Sequence, residues 1–208
     1  MDDVTAALKS HYARAFETHG ATARGVDWGA ADDVVLRYEK MLAVIDPART
    51  PGRVSLLDVG AGYGGLWQAI KQKGLPVDYS GIDVCDNMIA WARTHQKDAS
   101  FAVADVFTDG AAGSHDYVVA NGILTQKLET TITAMDAFAQ KLIRRMFELS
   151  RVGVAFNVMT TKVNFTAPNL YYRNPAELLA WCQAEITPKV RIDHAYRLYE
   201  YTIYLYRG

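Results

Sequence analysis

The sequence predicts an α/β domain on a doubly wound, mixed seven-stranded sheet, with N-terminal covering helices and an antiparallel C-terminal hairpin. Three observations predict it. Short apolar runs alternate with amphipathic helical stretches from residue 53 onward, and a glycine-rich loop follows the first run. The last two apolar runs lie too close together for a crossover helix, so they must pair antiparallel. The 208 residues, half of them hydrophobic, suit a single domain with its own core. Within it, residues 1–50 read as a helical cover, 53–160 as a ligand-binding core, and 161–208 as an acceptor loop, helix and terminal hairpin.

A first helical stretch spans Val4 to Phe16, and a glycine-containing connection, Gly20 to Gly29, follows it. Ala31, Val34, Val35, Tyr38, Met41, Leu42 and Ile45 recur at three and four, making one helical face. Asp32 and Asp33 suit the positive end of that helix's dipole, and Pro47 and Pro51-Gly52 end it. Val54 to Val59 is a buried strand entering the glycine loop. Leu66, Trp67 and Ile70 lie on a helix that Gly74-Leu-Pro76 stops. Tyr79 to Val84 is a second strand, after which Asp86 is expected to cap the helix carrying Met88, Ile89 and Ala92.

Phe101 to Val103, Asp116 to Ala120 and Val152 to Phe156 read as further strands. A long helix between the last two carries Ile132, Met135, Phe138, Ala139, Leu142, Ile143 and Met146 along one stripe. Asn174-Pro175 caps and begins the next helix, through Trp181. Val190 to Ile192 and Tyr199 to Tyr206 form the closing hairpin at the sheet edge. There Tyr199, Tyr201, Tyr204 and Tyr206 suit an edge strand's packing.

Charge excludes little but shifts the expectation. Lys plus Arg number 22 and Asp plus Glu 23, for a net charge of -1. That is not the footprint of a protein tracking a phosphate backbone, so no nucleic acid is expected as partner. No apolar stretch is long enough for a bilayer span, and the acidic N-terminus lacks the pattern of a signal peptide. A cytoplasmic protein, monomer or homodimer, is expected. Cys85 and Cys182 are isolated, so neither a disulfide nor a metal site is expected.

The chemistry gathers at strand ends, where doubly wound sheets bind ligands. In Asp58-Val-Gly-Ala-Gly-Tyr-Gly-Gly65, Gly60 and Gly62 let the backbone turn and approach a ligand without Cβ atoms. Gly60, Gly62 and Gly65 also satisfy the dinucleotide fingerprint, which alone is a weak signal. Asp83 ends the second strand, where either cofactor class would set a carboxylate on ribose hydroxyls. Asp58 ahead of the glycines suits a cationic ligand better than a pyrophosphate. Asp105 after the third strand suits an adenine amino group.

Leu57-Asp-Val-Gly-Ala-Gly-Tyr-Gly64, Ile82-Asp83, Ala104-Asp105-Val106 and Tyr117-Val-Val-Ala-Asn-Gly122 resemble successive motifs of the class I S-adenosylmethionine-dependent methyltransferases. The resemblance covers residues 53–160, and the closing hairpin agrees with that Rossmann-like topology. It implies S-adenosylmethionine as cofactor, with Gly60 and Gly62 near its methionine moiety, Asp83 on the ribose diol and Asp105 with Val106 at the adenine. Ala61 and Val84 join that cofactor set, and Asp58 is a looser contact towards the amino group. The family's Asn/Asp-Pro-Pro-aromatic motif is absent at Asn121 to Thr125, which counts against nucleobase amino groups as acceptors.

Other residues carry two readings each. Asn121 either faces the sulfonium end of the cofactor or caps its strand. Trp28, in the covering loop Gly25 to Gly29, covers the site if it packs over something. Arg37 either grips the cofactor carboxylate or pairs at the surface. His194 is the best general-base candidate, with Tyr172 beside it and Tyr171 and Tyr196 as alternatives; a strand-end histidine with satisfied hydrogen bonds is the other reading. The expected function is methyl transfer to an O or N atom of a small-molecule metabolite. Another reaction of the same cofactor, such as cyclisation, or an NAD(P)-binding oxidoreductase remains the alternative.

Overall fold

The computed structural model describes residues 1–108, 110 and 114–208. Five strands form the parallel heart of the sheet: β1 (Val54–Val59), β2 (Val77–Asp83), β3 (Ser100–Val103), β4 (His115–Leu124) and β5 (Ser150–Thr160). The two-residue β6 (Tyr172–Arg173) prolongs one side of β5. β7 (Val190–Asp193) and β8 (Glu200–Tyr206) complete the order β3-β2-β1-β4-β5-β8-β7, with β8 antiparallel to both neighbours. The reversal of strand order beside β1 opens the crevice where such folds bind ligands.

Helices coat both faces because strand side chains alternate. Leu56, Tyr117, Val119, Ala155 and Tyr204 point to one face, under α2 (Ala31–Leu42), α3 (Gly65–Gln72) and α4 (Asp86–His95). Leu57, Val118, Val154, Phe156 and Ile203 point to the other, under α1 (Asp3–His19), α5 (Ile132–Leu149) and α6 (Pro175–Glu185). Asp2 caps α1 by accepting from the Thr5 N–H at 2.8 Å, and Thr131 and Asn174 cap α5 and α6 in the same way.

Two local expectations need correction. Asp86 does not cap α4: Cys85 holds the cap position, and Asp86 is the first helical residue, bound to Lys9 of α1 at 2.8 Å. The last strand is not an edge. β7 lies outermost and β8 returns between it and β5, so all seven β8 residues are buried. Its tyrosines therefore fill both cores, while Tyr199, just before the strand, is 60% exposed. An apolar run without polar alternation is the pattern of a strand covered on both faces.

Candidate active site

A cleft opens at the carboxyl ends of β1, β2 and β4. The turn after β1 shapes its floor. Gly60 has φ +75°, and a Cβ there would press within 2.9 Å of the Ile123 side chain, so this position demands glycine. The Gly60 and Ala61 N–H groups both donate to the Ile82 carbonyl, at 2.8 and 3.0 Å, which ties the loop to the end of β2.

Three carboxylates line the cleft. Asp83 accepts from the Gly62 N–H and the Cys85 N–H, both at 2.8 Å. Burial pushes its carboxyl above the usual range, and those backbone donors hold it back. Asp58 is 3% exposed and accepts from the Tyr79 hydroxyl at 2.7 Å. Burial raises it to about 7; the Tyr79 hydrogen bond opposes the rise and the nearby Asp83 charge adds to it. Asp105 folds back on its own turn, accepting from the Phe107 N–H at 3.0 Å. Among the described residues none of the three is in an ion pair, and a cation beside the buried Asp58 would offset the cost of its charge, which the Tyr79 hydroxyl meets only in part.

Two further polar groups wait in the same cleft. Asn121 is 9% exposed and both its amide atoms lack a hydrogen-bond partner. Thr5, in the first turn of α1, is 7% exposed with an unpartnered hydroxyl. Orphaned buried groups are rare in folded proteins, and two of them facing one cleft fit a polar ligand there. Three acids, an amide and a hydroxyl around an apolar cleft fit a ligand with cationic, diol and base-edge groups, as S-adenosylmethionine has.

Of the cofactor residues expected from the sequence, Trp28, Asp58, Gly60, Ala61, Gly62 and Asp83 line the cleft, as do Val84, Asp105, Val106 and Asn121. Trp28 packs over Gly122, and Tyr12 reaches the Gly122 carbonyl at 3.4 Å. Asp27 pins the covering loop by accepting from His11 at 3.0 Å and from Gln126 at 2.7 Å. Arg37 stands elsewhere. Its Nε donates to Glu200 at 2.8 Å and its guanidinium lies 5.0 Å from the Trp28 ring centroid. Nor do His194 and Tyr172 line the cleft: His194 is exposed against the edge of Tyr201, and the Tyr172 hydroxyl accepts from the Ala167 N–H at 3.2 Å.

Sequence reasoning passed over Thr5, Tyr79 and Glu200. Glu200, 1% exposed, accepts from Asn157 at 2.9 Å as well as from Arg37. Burial raises its carboxyl, and Arg37 and Asn157 hold it down. A lone acid inside an apolar strand run was the signal available for Glu200. Thr5 had none, since a threonine near a helix start reads as ordinary capping.

A family model described as "Methyltransferase domain" matches residues 56–147. The chain is 32% identical over 154 residues to Rv1506c of Mycobacterium tuberculosis, provisionally named a methyltransferase, covering 72% of this chain and 90% of that protein. Its fold is similar to that of magnesium protoporphyrin IX methyltransferase from Synechocystis with bound S-adenosylmethionine. The TM-score there is 0.67 at 14% identity, over 100% of this chain and 99% of that one. Human N-acetylserotonin methyltransferase gives 0.64 at 13% identity, over 99% of this chain and 67% of that one. With strand order, glycine loop and acidic cleft alike in place, the chain belongs to the class I S-adenosylmethionine-dependent methyltransferases.

Proposed function

We propose that the chain methylates an O or N atom of a small-molecule metabolite. The observation that carries this reading is the cleft itself: Tyr12, Trp28 and Tyr38 line it beside the glycine loop, an aromatic and mostly apolar lining of the kind that suits a small-molecule acceptor. Bound there, the cofactor supplies an activated methyl group on a sulfonium. The chain's residues then have positioning as their main task, which is worth about 7–11 kcal/mol in well-oriented reactions. Asp83 would hold the ribose diol, Asp105 and Val106 the adenine, Asp58 the ammonium side, and Asn121 the donor end. The hydroxyl of Tyr12, which donates to the Gly122 carbonyl at 3.4 Å, would orient an acceptor. Among proteins of similar fold, names that state an acceptor give magnesium protoporphyrin IX, N-acetylserotonin and plantazolicin, none of them a nucleic acid, which supports the reading.

The test uses methyl-labelled S-adenosylmethionine and a cell extract separated by size. Label recovered in a small-molecule fraction, and lost with Asp83→Ala, is the expected result. Label confined to protein or nucleic acid would sink the reading.

A further inference from the structure

Between β4 and β5 the pairing passes from Ala120 with Phe156 to Leu124 with Val158, so Asn121, Gly122 and Ile123 stand opposite the single residue Asn157. Such a bulge strips backbone groups of their ladder partners and re-aims side chains. Here the Gly122 N–H donates to Asn157 Oδ1 at 2.8 Å, and the Gly122 carbonyl accepts from Thr125 Oγ1 at 2.6 Å. Gly122 has φ +86°, and a Cβ there would come within 3.0 Å of the Trp28 ring. Asn157 Nδ2 donates to one oxygen of Glu200 at 2.9 Å, while Arg37 Nε donates to the other at 2.8 Å. Arg37 lies against Trp28. The contacts close a ring through Gly122, Asn157, Glu200, Arg37 and Trp28.

A carboxylate only accepts, so the Asn157 amide must turn its NH₂ to Glu200 and its oxygen to Gly122. Reversed, that amide would set donor against donor at the Gly122 N–H. We propose that Glu200 is a positioning residue for methyl transfer: through Asn157 it fixes the Asn121–Gly122 bulge, and through Arg37 it holds Trp28 over it. The inference rests on the reading of Asn121 as the contact at the donor end, and Asn121→Ala tests that reading by itself. The amide exchange of Gly122 tests the ring whatever becomes of Asn121.

Three variants decide it: Glu200→Gln, Asn157→Asp and the two combined. Glu200→Gln leaves one oxygen to serve two donors. Asn157→Asp sets two carboxylates face to face. The double variant restores every bond, because the new carboxylate accepts from the Gly122 N–H and from the new amide, whose oxygen still accepts from Arg37. It also keeps the wild-type charge. Read by hydrogen exchange of the Gly122 amide and by calorimetry, each single variant should expose that amide. Each should also weaken S-adenosylmethionine binding by about fivefold or more, the scale of coupling between residues in one network. S-adenosylhomocysteine, lacking the transferred methyl, should lose less. The double variant should recover both readouts to within about twofold. Single variants that behave as wild type, or a double variant that only adds their losses, would overturn the proposal. If the singles fail to fold, the double variant alone decides: a folded protein with a protected Gly122 amide supports the ring, and a freely exchanging or unfolded one overturns it.

Discussion

Asp58 spends the unliganded state as a strained acid. Burial pushes its carboxyl up to about 7 against an ordinary 3.8, so ionising it destabilises the native state. The sign follows: its stabilising share is present below pH 3.8 and is lost as pH rises through 7. Asp58→Asn should therefore melt higher than wild type at pH 8, with the gap closing towards pH 4 in thermal scans. Because a cationic ligand prefers the ionised acid, affinity for S-adenosylmethionine should rise with pH through about 7 in wild type. In Asp58→Asn that part of the slope should vanish in calorimetry. Thr5→Val supplies the complementary case. Removing an unsatisfied buried hydroxyl should stabilise the free protein by about 1 kcal/mol while weakening the cofactor, and unchanged affinity would show that the hydroxyl meets solvent instead. Asp58 and Asp83 were legible because charges at the ends of apolar strands stand out. Thr5 was not, because only the docking of α1 turns its hydroxyl into the cleft.

The cover and the core meet at one tight joint between elements. Gly65 opens α3, and a Cβ there would overlap the Tyr38 hydroxyl of α2 at 1.9 Å. Gly65→Ala should force Tyr38 out of the cleft wall, costing about 1–3 kcal/mol as over-packing does. Chemical denaturation would read that cost, and cofactor affinity should fall with it. The same dependence on neighbours explains where the helical and loop residues singled out in the sequence come to lie. The helix bearing Arg37 was plain from its periodicity, yet its partner Glu200 lies 163 residues away and nothing local announces the pair. Asp86 looked like a cap by residue type, but its chain position one step inside α4 suits a bond to Lys9 instead. His194 was singled out for its chemistry alone, and the loop that carries it faces solvent.

At the level of the whole molecule, the alternation of strands and helices made the sheet and its closing hairpin readable before any coordinates. The place of β8 inside β7 was missed although the pattern carries it: β7 alternates apolar and charged residues as an outer strand does, while β8 is buried along its whole length. One consequence for the intact protein follows from the cleft walls, which come from α1 through α5, from β1, β2 and β4, and from the segments before α2 and after β1, β2 and β3. Binding should stabilise all of them together: S-adenosylmethionine at about 100 times its Kd adds about 2.7 kcal/mol. For a chain of this size that corresponds to a melting shift of about 5–11 °C. Hydrogen exchange should slow in α1 as well as in the glycine loop, and an α1 indifferent to cofactor would show that it is no part of the site.

The place of β8 also sets an order of assembly during synthesis. Domains form as units as the chain emerges from the ribosome, and pairings distant in sequence come last. The glycine loop and all three acids of the cleft are made by residue 105, but the strand that carries Glu200 and flanks β5 follows only after nearly a hundred more residues have been added. A nascent chain halted ahead of β8 would lack the strand whose side chains fill both cores, so the cleft should take its final shape only after the last residues have been made.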